Sequence, residues 1–319
     1  MSRNLDSLKP VDRVEVMTLM DNYADALLPG TDIVTRAPNH EGEVIPEDTL
    51  LAEHGLCMLV SVYQDGEKHS ILFDAGYTKV GTLHNIDMLS IDLNEIEALV
   101  LSHRHMDHNA GLYALLDRIS RPIPVVAHPE AFLFGRYLRL KDGRMIRFPE
   151  ILSRKKLASY GIGVLESKGP ILIAGDRIAV TGEVERTTAF EKGLPHAFVE
   201  KDGKMEKDPI WDDQALVIHL KGRGLVVISG CSHAGIINTV LYSRKLTGVE
   251  KVYAVLGGFH LTGPVFEPII GDTIDAFKAL APEVIVPMHC TGWTAINRFA
   301  EAFPETFILN SVGSTFTLV

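Results

Sequence analysis

The sequence predicts an α/β protein folded as one domain, and three observations carry that reading. Short apolar, β-branched runs bounded by turn-type residues recur along the chain and mark buried strands. In the second half such runs alternate with segments of helical period, the rhythm of parallel strands covered by helices. No proline- or serine-rich stretch divides the 319 residues, a length that one large domain can fill.

Taken in order, strands are expected at residues 14–20, 57–63, 70–73 and 98–101. The segment NAGLYALLDRI, residues 109–119, has apolar groups at helical spacing, with Asn109 placed to cap its first turn. PVVAH, residues 124–128, reads as a further strand. Residues 129–213 break the rhythm, mixing charges, glycines and aromatic side chains with short apolar runs. They are expected to form an elaborated insertion with a few strands, the kind of element that shapes a pocket. Strands then resume with ALVIHL, GLVVISG, VYAVLGG and EVIVPMH, and helices are expected near residues 236–246 and 273–280.

Composition narrows the function classes. With 46% hydrophobic and 23% charged residues the chain is an ordinary globular protein, not a disordered or fibrous one. A formal charge of -10 argues against nucleic acid or an anionic membrane as partner. No stretch approaches the length of a membrane span. The opening residues are charged and lack an apolar core, so an export leader is not expected. Cys57, Cys231 and Cys290 are too few and too scattered for a disulfide framework, which fits a reducing, cytoplasmic location.

The sharpest motif is LVLSHRHMDHNAGL, residues 99–112, which sets His103, His105, Asp107 and His108 where a strand ends and a helix begins. In an extended segment His103 and His105 point the same way and can bind one ion. The chain then turns, and Asp107 with His108 can face a second ion. Imidazole and carboxylate suit zinc, the first expectation, and also iron or manganese.

This motif resembles the hallmark of the metallo-β-lactamase superfamily. ILFDAG, residues 71–76, is similar to that family's first motif, in which Asp74 would orient a ligand histidine. MDNYAD (residues 20–25), AEHGL (52–56), TGEVER (181–186), SGCSHAGIINT (229–239) and LGGFHL (256–261) resemble a subgroup of dihydropterin-linked ribofuranosylaminobenzene phosphate synthases. The resemblance implies a four-layer αββα sandwich with two divalent metal ions at one edge. It implies His233 as third ligand of the first ion, replacing a histidine that the family draws from the stretch here reading WDDQALVI. It gives His289, in VIVPMHCTG, to the second ion beside Asp107 and His108. Cys231 falls where the family often has a bridging aspartate and is a further metal candidate, although a small buried cysteine is as good a reading of it; Asp213 is a second such candidate. His260 is expected to bind metal, hydrogen-bond substrate or protonate a leaving group. His54 and His128 are expected in supporting or structural roles.

Two close divalent ions imply metal-assisted hydrolysis. A water bridging them loses a proton near neutral pH, and the hydroxide attacks a small phosphoester, ester or lactone while Asp107 orients it. The subgroup implies an alternative, a transferase joining a pterin diphosphate to ribofuranosylaminobenzene 5'-phosphate. A non-catalytic ligand-binding module is the further alternative. An anionic small-molecule substrate is expected to meet Arg136, Arg139 and Arg186, with Arg144 and Arg147 nearby in sequence. Phe132, Phe134, Tyr137, Phe148 and Trp211 could stack on a flat ring or form the insertion's own core.

Overall fold

Alternation along the strands decides how the layers stack. In strand Glu67–Phe73, Ile71 and Phe73 enter one apolar cluster while Leu72 enters another on the opposite face. In strand Gly224–Ser229, Val226 and Ile228 join that same first cluster, and Leu225 and Val227 join a third. The first cluster is therefore the seam between two sheets. The second cluster is closed by Ile86 of helix Gly81–Met88, Leu112 and Leu115 of helix Leu112–Arg118, and Leu157 of helix Arg154–Ser159. The third is closed by Val240 of helix Ile236–Thr247, Phe277 of helix Ile270–Leu280 and Phe299 of helix Trp293–Ala302. Helices, sheet, sheet and helices make the four-layer αββα sandwich. A computed structural model describes residue 5, residues 7–40 and residues 42–319. The charged opening, from which no export leader is expected, lies partly outside the described residues.

The first sheet runs in the order Val34–Thr35, Thr315–Leu318, Arg13–Met20, Cys57–Gln64, Glu67–Phe73, Ile96–Val100, Val125–Ala127, Val164–Glu166. It is antiparallel up to Glu67–Phe73 and parallel beyond it. The second sheet runs Ile171–Ile173, Ile178–Val180, Ala215–Leu220, Gly224–Ser229, Val252–Gly258, Val284–Met288, with its last three strands parallel. Parallel order thus covers only part of each sheet, and those parts carry the polar strand ends described below.

Two local expectations are corrected. Residues 129–213 are not one separate insertion: Val164–Glu166 extends the first sheet, and Ile171–Ile173 with Ile178–Val180 extends the second. Only Arg136–Arg139, Met145–Arg147, Ala197–Lys201 and Lys204–Lys207 stand apart, as a four-stranded antiparallel sheet. Three-residue strands owe their state to the neighbours they pair with, which lie far off in sequence. Asn109 does not cap a helix over residues 109–119. It ends the short helix Met106–Asn109, a second helix starts at Leu112, and the Asn109 amide donates to the Arg104 carbonyl at 2.5 Å. The break lies at Gly111, where a Cβ would come 2.1 Å from the Ala75 carbonyl oxygen. No helix among the described residues is long and apolar enough to cross a membrane.

Ile228 is fully buried in the cluster between the sheets. Ile228→Ala should lower stability by about 2–5 kcal/mol, read from the shift of the chemical-denaturation midpoint. A loss below about 1 kcal/mol would contradict its placement in a seam packed from both sides.

Candidate metal centre

Five strands deliver polar residues to one edge of the sandwich. Glu67–Phe73 is followed by Asp74, Ile96–Val100 by the loop carrying His103 and His105, and Gly224–Ser229 by Cys231, Ser232 and His233. Val252–Gly258 leads to His260, and Val284–Met288 leads to His289. Asp74, Ser232, His260 and His289 adopt left-handed backbone angles, with φ of 64°, 58°, 46° and 52°. Each such turn costs a non-glycine residue of order 1–3 kcal/mol and persists where surrounding packing enforces it. Gly230 sits where a Cβ would come 2.1 Å from Ser102 Oγ, so the close approach of these loops requires a glycine.

Three imidazoles form the first donor group. His103 Nε2 lies 2.9 Å from His105 Nδ1, and His233 Nε2 lies 3.2 Å and 3.1 Å from those two atoms. Ser102 Oγ donates to Asp74 Oδ2 at 2.7 Å, which leaves it to accept from His103 Nδ1 at 3.0 Å. That network assigns the proton of His103 to Nδ1 and leaves the Nε2 lone pair facing the other rings. Burial disfavours charge on all three, holding His105 down to about 4 and His103 and His233 well below the ordinary imidazole value. Neutral rings with converging lone pairs could hold a cation. Tetrahedral zinc with 2.0–2.1 Å bonds would set its donors ~3.3 Å apart, within a few tenths of an ångström of these spacings.

The second group joins Asp107, His108, Cys231 and His289, whose donor atoms lie within 4.8 Å of one another. His289 Nε2 is 3.1 Å from Asp107 Oδ2 and 3.2 Å from His108 Nε2, and His108 Nε2 is 3.1 Å from Cys231 Sγ. His108 Nδ1 donates to Asp74 Oδ2 at 2.6 Å, and His289 Nδ1 donates to Asn22 Oδ1 at 3.3 Å. Burial opposes charge on both His108 and Asp107, yet they stabilise each other. The Asp107 and Asp74 carboxylates raise His108 well above its ordinary value, while His108 and His289 hold Asp107 far below the carboxylate range. Burial pushes the Cys231 thiol up. A bound cation would supply the positive charge needed to draw its thiolate out.

The segment WDDQ, notable in the sequence for lacking a histidine, braces these loops. Asp212 accepts the Arg104 N–H at 2.9 Å, Asp213 accepts the Ala234 N–H at 2.9 Å, and Gln214 donates its side-chain amide to the Leu101 carbonyl at 2.8 Å. Asp213 therefore holds the turn behind His233 and joins neither donor group, which corrects its candidacy as a ligand. Asp21 accepts the His289 N–H at 2.9 Å, and Asn22 donates to the His289 carbonyl at 3.0 Å. MDNYAD thereby gains a role that its sequence did not show. Ser102, Asp21, Asn22, Asp212 and Gln214 are all missing from the sequence candidates; their only signal is a polar side chain inside or beside a motif.

The arginines do not converge. Arg136 is buried and paired with Asp212 at 2.7 Å and Asp208 at 3.0 Å, a structural cation in place of the expected substrate contact. Arg139 stands exposed on the separate sheet, stacked over Phe198. Arg144 and Arg147 pair at the surface with Asp142 and Glu150. Arg186 alone comes near the centre: half-buried, it packs against Gly193 and donates to the Pro209 carbonyl. Local basic content cannot reveal acidic partners seventy residues away, such as Asp208 and Asp212.

Three further side chains frame the centre. Phe148 stacks on His105, ring centroids 4.9 Å apart and planes 20° from parallel. His54, 65% exposed at its side chain, stacks on His289 at 5.1 Å with Nε2 3.7 Å from Asp107 Oδ2. It thus stands at the open face and has no buried structural role. His260 lies 4.3 Å from the His233 ring, and with Cys231 and His233 it makes a third, overlapping donor group. His128 is buried with Nδ1 accepting the Glu130 N–H and Nε2 facing Glu183, away from the donor groups.

Because the two groups use different histidines, His103→Ala and His289→Ala should each remove part of the bound metal while leaving the rest. Elemental analysis of each purified variant measures this, and a wild-type metal content in either would overturn the assignment of that group.

A family model described as "Metallo-beta-lactamase superfamily" matches residues 52–235. The chain is 32% identical over 307 residues to the 7,8-dihydropterin-6-methyl-4-(beta-D-ribofuranosyl)-aminobenzene-5'-phosphate synthase of Methanocaldococcus jannaschii, covering 95% of this chain and 96% of that protein. It is 34% identical over 262 residues to an uncharacterized protein of the same organism, covering 82% of this chain and 92% of the relative. Among solved structures, Tm1679, a metal-dependent hydrolase of the beta-lactamase superfamily, superposes with a TM-score of 0.70 at 26% identity, over 96% of this chain and 98% of that one. Fold, donor groups and sequence agree, and the chain belongs to the metallo-β-lactamase superfamily.

Proposed function

We propose that this chain is a metal-dependent hydrolase that cleaves a small anionic phosphoester, ester or lactone. The observation that carries the reading is the pair of donor groups at one edge, His103, His105 and His233 beside Asp107, His108, Cys231 and His289. Zinc is the first candidate for both, with iron or manganese also suited to the nitrogen and carboxylate donors. Divalent cations held there would lower the pKa of a nearby water and polarise the bond under attack. The chain's own residues do the rest. Asp107, kept ionised by His108 and His289, offers a carboxylate oxygen that can accept a hydrogen bond from an attacking water. His54 can donate from the open face to a substrate oxygen, His260 can do so from the cavity side, and Arg186 adds positive charge beside Gly193. Net charge -10 weighs against polyanions and leaves small molecules as the substrate class.

A second reading is a carbon–nitrogen bond-forming transferase, favoured by 32% identity across 95% of the chain to a protein named as a synthase. Steady-state assays separate the two. Under the hydrolase reading the metal-loaded protein turns over p-nitrophenyl phosphodiesters or lactones without a second substrate. Release of diphosphate only when a pterin diphosphate and an arylamine are both present would support the transferase. Absence of turnover in every assay with metals bound would favour a binding module. In the hydrolase assay His54→Ala should raise KM about tenfold with metal content unchanged, the effect of losing one charge-assisted hydrogen bond. An unchanged KM would remove His54 from the site.

A further inference from the structure

Cys231 and Cys290 follow strands that are not neighbours: Val252–Gly258 lies between Gly224–Ser229 and Val284–Met288. Residues so placed ordinarily stand two strand spacings apart, about 9.5 Å. Here Cys290 Sγ reaches the Cys231 carbonyl oxygen at 3.5 Å, and the two thiols are close enough to exchange a hydrogen bond. Gly258, the end of the middle strand, makes the meeting possible. A Cβ there would come 2.7 Å from Cys290 Sγ and 3.4 Å from Cys231 Cα, so any other side chain would fill the gap between the cysteines. Both cysteine loops are tied to this span. The Gly258 N–H donates to the Gly230 carbonyl at 3.1 Å, Ser232 Oγ donates to the Gly258 carbonyl at 2.8 Å, and the Phe259 N–H donates to Thr291 Oγ1 at 3.0 Å.

The two thiols differ in their attachments. Cys231 belongs to the second donor group, and Cys290 to none. Resting on the reading of that group as a cation site, we propose that Cys231 and Cys290 form a reversible disulfide under a peroxide oxidant, and that the bond releases the second cation. The Cys290 sulfur takes OH from hydrogen peroxide as the O–O bond breaks, and the other oxygen leaves as water with the thiol proton. The Cys231 sulfur then attacks the sulfenic acid. The S–S bond forms, the S–O bond breaks, and a second water leaves with the Cys231 proton, or with a solvent proton where a cation has displaced it. The thiols lose two electrons and the peroxide gains them. The oxidant must be small, because Cys290 is 5% exposed and Cys231 2%. A disulfide sulfur is no longer a thiolate, so the second group keeps only Asp107, His108 and His289. In reducing surroundings the thiols re-form, so the bond acts as a sensor and not as a staple.

Peroxide treatment of the zinc-loaded full chain tests this, followed by denaturing alkylation with iodoacetamide and peptide mass spectrometry. The expected result is a linked Cys231–Cys290 peptide and loss of about one zinc ion in two to a chromogenic chelator. Cys57, buried in the apolar cluster on the far face of the first sheet, should be alkylated and serves as the internal control. Dithiothreitol should restore both thiols and the zinc. Cys290→Ser should hold its zinc as purified and keep it under peroxide; Cys290→Ala replaces it where serine impairs folding. Three alkylated cysteines after peroxide, zinc release that survives Cys290→Ser, or a linked peptide with zinc fully retained would overturn the proposal. The metal-free protein separates this from failure of the cation-site reading, since the disulfide should form there as well. Linkage in a chain that takes up no zinc would uphold the disulfide and defeat the cation site.

Discussion

Unshared electron pairs on neighbouring imidazoles repel, and this centre is built to hold them together. His103, His105 and His233 bring ring nitrogens within 2.9–3.2 Å of one another inside a protein interior that disfavours charging any of them. Hydrogen bonds hold the far side of one ring of this cluster and of two rings in the neighbouring donor group. Ser102 fixes His103, Asp74 fixes His108 and Asn22 fixes His289. Asp74 is the common anchor, accepting from Ser102 N, Ser102 Oγ and His108 Nδ1 while fully buried. Its hydrogen bonds satisfy a charge that would otherwise be costly so far from water.

The sandwich makes that anchoring possible. Strands that end together at one edge bring residues 74, 102, 231, 260 and 289 into a few ångströms of space, though they lie far apart in the chain. Asp212 and Gln214 then brace the loop at residues 101–104, and Asp213 braces the turn at Ala234, all from one short segment. Arg136 neutralises Asp212 from the separate four-stranded sheet, so that sheet helps to set His105 in place. Removing one partner of this buried pair would leave the other uncompensated, which costs more than the pair contributes.

How much of this was legible in the sequence follows from what is local. His103, His105, Asp107 and His108 stand within six positions after a buried strand, so their grouping needs no tertiary knowledge. His233 and His289 came through family likeness, because each is a single histidine at a strand end and nothing nearby marks it. The two sheets were legible as strand runs, but the three-residue strands in residues 129–213 were not, because their pairing is long-range. Arg136 misled for the same reason: its charge was visible and its partners were not. Asn109 misled because a cap and a loop brace use the same side chain, and only the close passage of Gly111 by Ala75 decides between them. His54 carries no local signal of its place, because its exposed ring meets His289 only through the fold.

The open side at His54 and the cavity lined by His233 and His260 both border the proposed cation pair. The most direct test of that pair is an anomalous-difference map of crystals grown with zinc. The expected result is two peaks, one among His103 Nε2, His105 Nδ1 and His233 Nε2, the other among Asp107, His108, Cys231 and His289. A map with no peak at either group, or with zinc bound only elsewhere on the surface, would contradict a centre built to hold cations.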